Sequence, residues 1–183
     1  MFKDCTMKTE LTQSYLKECL DYNPDTGIFT RKIRPAHHFK DPRTMKSVNT
    51  RDSLKSVGFL NCGYLMAYIN GKNYMLHRLA WLYVHGVFPE NDIDHINGIR
   101  DDNRIVNLRE ATRGENLQNQ KNARRNNKST GLLGAYFNKK DNYYFSMIGI
   151  NGKSIYLGSF NTPEEAHAAY LNAKRELHSH NTI

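Results

Sequence analysis

Residues 93–122 read IDHINGIRDDNRIVNLREATRGENLQNQKN, and the reading of this stretch decides both the local fold and the chemistry. Asp94 and His95 are adjacent, Asn107 follows His95 by twelve residues, and Asn116 lies nine further on. A carboxylate and an amide oxygen are hard ligands of the kind Mg²⁺ takes, in near-octahedral geometry with several retained waters. An imidazole with an unperturbed pKa of ~6.5 is largely neutral near pH 7 and can take a proton from an attacking water. These residue types together point to metal-assisted hydrolysis of a phosphodiester. The pattern predicts a frame for them: 93–96 as a short strand end, Asn97-Gly98 as a turn, 100–104 as a polar loop, 107–112 as a second strand, and 114–121 as a helix carrying Asn116. Successive residues of a regular strand face opposite ways, so Asp94 and His95 can serve one site only where the strand ends and the backbone turns. Asn107 is the natural residue to bond loop backbone and hold that turn. Asn116, Asn119 and Asn122 recur every three residues on the predicted helix, although Asn is a poor helix former, up to ~0.7 kcal/mol below Ala. A local conflict of that kind is expected at a functional site.

Within the wider run HRLAWLYVHGVFPENDIDHINGIRDDNRIVNLREATRGENLQN, this pattern resembles the HNH (ββα-metal) endonucleases, in particular the homing enzymes of phages and group I introns. The upstream runs YNPDTGIFTRK and GYLMAYINGKNYMLHRLAW are similar to the front part of such enzymes. The resemblance implies that His95 is the general base, that Asp94 and Asn116 hold Mg²⁺ or Mn²⁺, and that Asn107 positions the loop of the base. It implies double-stranded DNA as substrate and, for a phage-encoded chain, the cytoplasm of a bacterial host. Arg100, Arg104 and Arg109 are candidates to stabilise phosphate charge, and the sequence does not choose among them. Asp92 is a weaker ligand candidate than Asp94, which adjoins His95.

Composition agrees. The chain has 183 residues, 39% of them hydrophobic, with Trp81, eleven Tyr and eight Phe, enough for modest cores in one domain or two small ones. A net charge of +8 points to a polyanionic partner. Cys5, Cys19 and Cys62 share no short spacing, so reduced thiols are expected rather than a zinc ribbon or a disulfide framework. No signal peptide or long apolar run is visible, so neither secretion nor a membrane span is expected.

Charge divides unevenly. Residues 1–112 carry sixteen Lys/Arg against thirteen Asp/Glu, and residues 113–183 carry ten against five. Within the second part, KNARRNNKSTG (121–131) holds Lys121, Arg124, Arg125 and Lys128 with no acid and little apolar content. It reads as a basic linker that lies along phosphates and stays extended. Asn119, on the predicted helix, joins these residues as a DNA-contact candidate.

Beyond it a second pattern begins. Residues 133–138 and 143–150 read as strands, Asn151-Gly152 as a hairpin turn and 153–157 as a third strand. Thr162-Pro163-Glu164-Glu165 combines a capping box with Pro at the first helical position, and Ala166, Ala169, Tyr170, Ala173 and Leu177 make one apolar face. The run GAYFNKKDNYYFSMIGINGKSIYLGSFNTPEEAHAAYLNAKRELH resembles the Apetala/ethylene-response-factor DNA-binding domain in its phage-associated form. The resemblance implies that an exposed sheet face enters the major groove, with Lys139, Lys140, Tyr143, Tyr144 and Lys153 as candidates. Strand alternation buries one residue of the Tyr143–Tyr144 pair.

The front of the chain is less specific. Residues 11–20 read as a short helix with Leu11, Tyr15, Leu16, Cys19 and Leu20 inward, followed by the turn Asn23-Pro24-Asp25-Thr26-Gly27. Arg31, Lys32, Arg34, Lys40 and Arg43 surround His37-His38 in a basic loop without visible periodicity, and no third metal ligand shares the spacing of the two histidines. Residues 63–69 and 73–76 read as a hairpin about Asn70-Gly71, and 77–85 as a helix closed by Gly86. His77 fits a structural role, and Arg78 at the helix start is a phosphate-contact candidate.

The predicted architecture is α+β: an HNH ββα-metal module over 1–122 with its core at about 92–122, a basic linker over 123–130, and a three-stranded antiparallel sheet packed on one helix over 131–183. The expected activity is site-directed, divalent-metal-dependent DNA cleavage of homing type, with nicking favoured and the chain monomeric on DNA without an obligate protein partner. A non-catalytic DNA-binding regulator with a degenerate core is the alternative.

Overall fold

Short apolar segments interrupted by Asn-Gly and Asn-Pro-Asp turns cannot build one large sheet, and the chain accordingly forms a mixed α/β structure of small sheets with five α-helices among the described residues. The computed structural model describes residues 11–123, 127–179, 181 and 182. The chain divides into two compact units, Met1–Glu90 with Ile99–Arg109, and Asn91–Gly98 with Glu110–Ile183.

In the first unit the Thr12 side chain caps α1 (Gln13–Cys19), which buries Leu16 and Cys19. Strands β1 (Leu20–Asn23), β2 (Ile28–Arg31) and β3 (Ser56–Val57) form an antiparallel sheet in that order. The segment expected as an irregular basic loop contains a 3₁₀ turn (Ala36–His38) and α2 (Pro42–Asp52). Asp41 caps α2, its Oδ1 accepting from Thr44 N at 2.8 Å, and Pro42 occupies the first turn, where its missing N–H costs nothing. Helix α2 buries no residue, so apolar periodicity gave no sign of it.

Strands β4 (Phe59–Asn61), β5 (Tyr64–Ile69) and β6 (Lys72–Met75) form a second antiparallel sheet, with Asn70 (φ 49°) and Gly71 (φ 77°) making the positive-φ hairpin turn. Helix α3 (Leu76–His85) ends at left-handed Gly86 and buries Leu76, His77, Leu79, Ala80 and Leu82. It packs on α1, β5 and β6. Tyr22, Phe29 and Tyr83 join ring to ring beside it, with centroids 4.6–6.2 Å apart.

The second unit contains β7 (Asp92–His95), the end of β8 (Leu108–Ala111), α4 (Arg113–Gln118), the antiparallel sheet β9 (Ala135–Asn138), β10 (Tyr143–Ile150) and β11 (Lys153–Phe160), and α5 (Pro163–Leu177). Strands β7 and β8 form a two-stranded sheet. Both α4 and α5 begin with complete capping boxes, Thr112 with Glu115 and Thr162 with Glu165. Helix α5 lies on β9, β10 and β11, burying Ala166 and Tyr170. The apolar face expected for α5 needs one correction. Leu177 is 46% exposed, and Lys174 is buried in the last turn with its Nζ donating to Gln120 O.

Residues 110–183 share one unit with 91–98, and the end of the expected linker is a closed turn rather than an extended strap. Asn127 Nδ2 donates to Leu132 O at 3.0 Å, and Thr130 Oγ1 donates to Ala135 O at 2.9 Å. A short Asn and Thr segment satisfies its own backbone in this way and therefore closes up. Among the described residues, no helix is long and apolar enough to cross a membrane.

Candidate active site

Strand β7 is exposed only at Asp92; Ile93, Asp94 and His95 are all buried, so both of its sides are covered. His95 is the last strand residue, and Gly98 N donates to His95 O at 2.8 Å to close the Asn97-Gly98 turn. Asp94 and His95 are thus presented where the backbone changes direction, each only 5% exposed. The residue that holds this turn is Asn119. Its Nδ2 donates to His95 O at 2.8 Å and converges on Asp94 Oδ1 and Oδ2 at 3.1 and 3.2 Å and on Ile96 O at 3.3 Å. Its Oδ1 accepts from Thr182 Oγ1 at 2.7 Å, which ties the end of the chain to the same residue.

Asn119 was expected to contact DNA; it is 6% exposed, and its amide is committed to the Asp94 end of β7. The helix face is shorter than the sequence reading predicts. Helix α4 stops at Gln118 with Asn119 as its C-cap, so Asn122 lies outside the helix. Asn116, half-buried, sits one turn before Asn119, and residues three apart share a helix face, so both are carried on the side of α4 that packs on β7.

The remaining motif residue, Asn107, belongs to the first unit. It is 6% exposed, ends the 3₁₀ turn Ile105–Asn107, and donates from Nδ2 to Asp102 O at 2.9 Å. The loop it closes is seated on the β1–β2 hairpin. Tyr22 Oη donates to Asn103 O at 2.7 Å, and Ile105 N donates to Pro24 O at 3.3 Å. Gly27, at φ 73°, lies so close that a Cβ there would meet Arg104 N at 2.5 Å and Asn103 C at 2.6 Å. The hairpin, whose turn the sequence marks at Asn23–Gly27, is the seat of the Asn107 loop.

Among the arginine candidates, Arg104 is engaged by Asp102 in a two-pronged pair, Nε to Oδ1 at 2.8 Å and a terminal nitrogen to Oδ2 at 2.6 Å. Arg100 lies over the Tyr64 ring at 5.1 Å, with a terminal nitrogen donating to Cys62 O at 3.4 Å. Arg109 is half-buried, and Arg78 donates to Pro89 O at 3.0 Å. Exposed Lys121 donates to Asn97 O at 3.0 Å, placing its charge on the turn beside His95, and Lys128 is exposed in the closed turn that follows. Arg124 and Arg125 lie outside the described residues.

On the β9–β11 sheet, register separates the paired tyrosines. Tyr144 lies opposite Phe137 and shares the side of buried Ser146 and Ile148, toward α5. Lys153, opposite Ile150, falls on that side as well, although it is exposed at the hairpin end. Tyr143 is on the other, open side with Phe145. There Tyr136, Phe145 and Tyr156 run across all three strands as stacked rings, 5.4 and 6.4 Å between centroids. Tyr136 and Tyr156 are 45% and 55% exposed. Sequence reading missed these two, and strand alternation from Tyr143 was the signal for the row. Lys139 and Lys140 are exposed in the β9–β10 turn.

A buried carboxylate beside a buried imidazole, held at a strand end by a neighbouring amide, defines a candidate hydrolytic centre for phosphodiesters. Residues 74–118 match the profile of the HNH endonuclease family, and the match supports an HNH nuclease. No curated protein and no solved structure matches the chain.

Proposed function

We propose that the chain is a site-directed DNA endonuclease of homing type that depends on a divalent metal and nicks its target. The observation that carries this reading is the fixed Asp94–His95 pair at the end of β7, clamped by Asn119 with Asn116 one turn away. A carboxylate and a neutral amide oxygen are the donor chemistry that Mg²⁺ or Mn²⁺ takes, so Asp94 and Asn116 fit as the residues that hold it. A bound cation would supply Lewis-acid neutralisation of phosphate charge. His95 takes the proton from the attacking water, and Asn107 keeps the loop backbone ordered through Asp102 O. The open aromatic face of the β9–β11 sheet, with Lys139 and Lys140 at one end, is the surface for double-stranded DNA, while Lys121, Arg124, Arg125 and Lys128 follow phosphates.

One Asp94/His95/Asn116 set per chain serves one strand, so a monomer produces nicks. Supercoiled DNA incubated with protein and Mg²⁺ tests the proposal: relaxed circles form before linear product, and EDTA abolishes the reaction. Breaks that persist in EDTA, or intact DNA at every metal concentration, overturn it.

A further inference from the structure

We infer that Glu18, His37 and His38 form a Zn²⁺ site in the first unit, a different unit from the one that carries Asp94 and Asn116. Glu18 lies in the last turn of α1, and the two histidines end the 3₁₀ turn Ala36–His38. In an extended strand adjacent side chains diverge, but the tight turn brings both rings to one place. They stand edge to face at 4.6 Å and 89°, and both Nε2 atoms reach the same oxygen, Glu18 Oε2, at 2.8 and 2.7 Å. Among the described residues, one potential ligand atom from each of the three lies within 4.8 Å of the others. Two imidazoles and one carboxylate make a zinc ligand set that leaves a fourth position for water. Tetrahedral Zn²⁺ with bonds of ~2.0–2.2 Å separates its ligand atoms by ~3.3 Å, about half an ångström more than the present contacts. Glu18 and His37 side chains are 42% and 67% exposed and free to open by that amount.

The third ligand is fixed. The His38 side chain is 1% exposed, its ring stacks on Tyr15 at 4.3 Å, and Arg34 Nε approaches Nδ1 at 3.2 Å. With Arg34 donating to Nδ1, neutral His38 carries its proton on Nε2 and donates it to Glu18. Zinc at Nε2 requires that proton to move to Nδ1, where it faces Cys19 Sγ at 3.7 Å in place of the Arg34 Nε contact, and Arg34 retains Tyr15 Oη at 3.0 Å and the Phe39 ring at 4.9 Å. The ion staples the 36–38 turn to α1, adding to the His38–Tyr15 stack and the Arg34–Tyr15 hydrogen bond.

The test is calorimetric titration of the metal-stripped full chain with ZnCl₂ in excess Mg²⁺, with thermal melts in parallel. The wild type binds one Zn²⁺ per chain, and zinc raises its melting temperature. His37→Ala, on an exposed side chain that leaves the core intact, weakens binding by about ten-fold or more and loses the thermal shift, and Glu18→Gln does the same. Absence of saturable Zn²⁺ binding by the wild type overturns the inference. So does equal affinity in both variants, or binding that survives in them and disappears in Asp94→Ala.

Discussion

At the end of β7, Asp94 and His95 are each 5% exposed and tied to the Asn119 amide, whereas on the open face of the β9–β11 sheet Tyr136 and Tyr156 are 45% and 55% exposed and stack around Phe145. Both regions belong to one compact unit, yet the chain invests in them differently. The first is dry and hydrogen-bonded, as a reacting centre must be if its groups are to stay in position. The second is broad and half-wet, suited to covering a partner surface. Substitutions in the two regions should therefore separate turnover from affinity.

The largest effect is expected at Asp94. Asp94→Ala removes the charged oxygen and with it several kcal/mol of cation-dependent charge stabilisation, about a thousand-fold or more in rate. A Mg²⁺ titration of the cleavage rate checks this, and wild-type metal dependence in the variant would break the contrast. Next comes Asn119→Ala, which leaves every reacting group in place but frees the turn; turnover should fall by roughly 10–100-fold with a raised half-saturating Mg²⁺ concentration. Paired Tyr136→Ala and Tyr156→Ala substitutions should weaken DNA binding by at least ~1 kcal/mol, about fivefold in Kd, without changing the cleavage rate at saturating protein. A reduced saturated rate would show that the open face takes part in the reaction.

The smallest effect concerns Lys174. Burial, and secondarily the Lys121 charge, push its pKa down from 10.5 to about 8. Between about 8 and 10.5 the unfolded chain binds a proton that the folded chain does not, so this group makes stability rise with pH across that window, while below about 8 the cost of a buried cation is present in full. The difference in denaturant midpoint between the wild type and Lys174→Met should shift in favour of the wild type as pH rises across the window, since the other titrating groups are common to both.

The end of β7 was legible in sequence because local chemistry wrote it, Asn97-Gly98 for the turn with Asp94 and His95 at its edge, and Gly86 and Thr162 likewise marked the end of α3 and the start of α5. Other features were not legible because their partners are distant or break the usual pattern. Asn119 reads as a helix residue until Asp94, 25 positions away, and Thr182, 63 away, are seen to meet it. Lys174 breaks binary patterning, and no period-based reading buries a lysine in preference to Leu177. Gly27 reads as a turn glycine, and only the close approach of Arg104 N gives it a second role. Helix α2 had a local signal, Asp41 before Pro42, that the absence of an apolar face obscured.

In the proposed reaction His95 activates water at a site whose DNA affinity is set elsewhere. Single-turnover cleavage of supercoiled DNA by His95→Ala, at saturating protein and Mg²⁺ with DNA binding measured in the same samples, tests it most directly. The expected rate is lower by ~10²–10⁴-fold, with DNA binding near that of the wild type. Cleavage at the wild-type rate would contradict it.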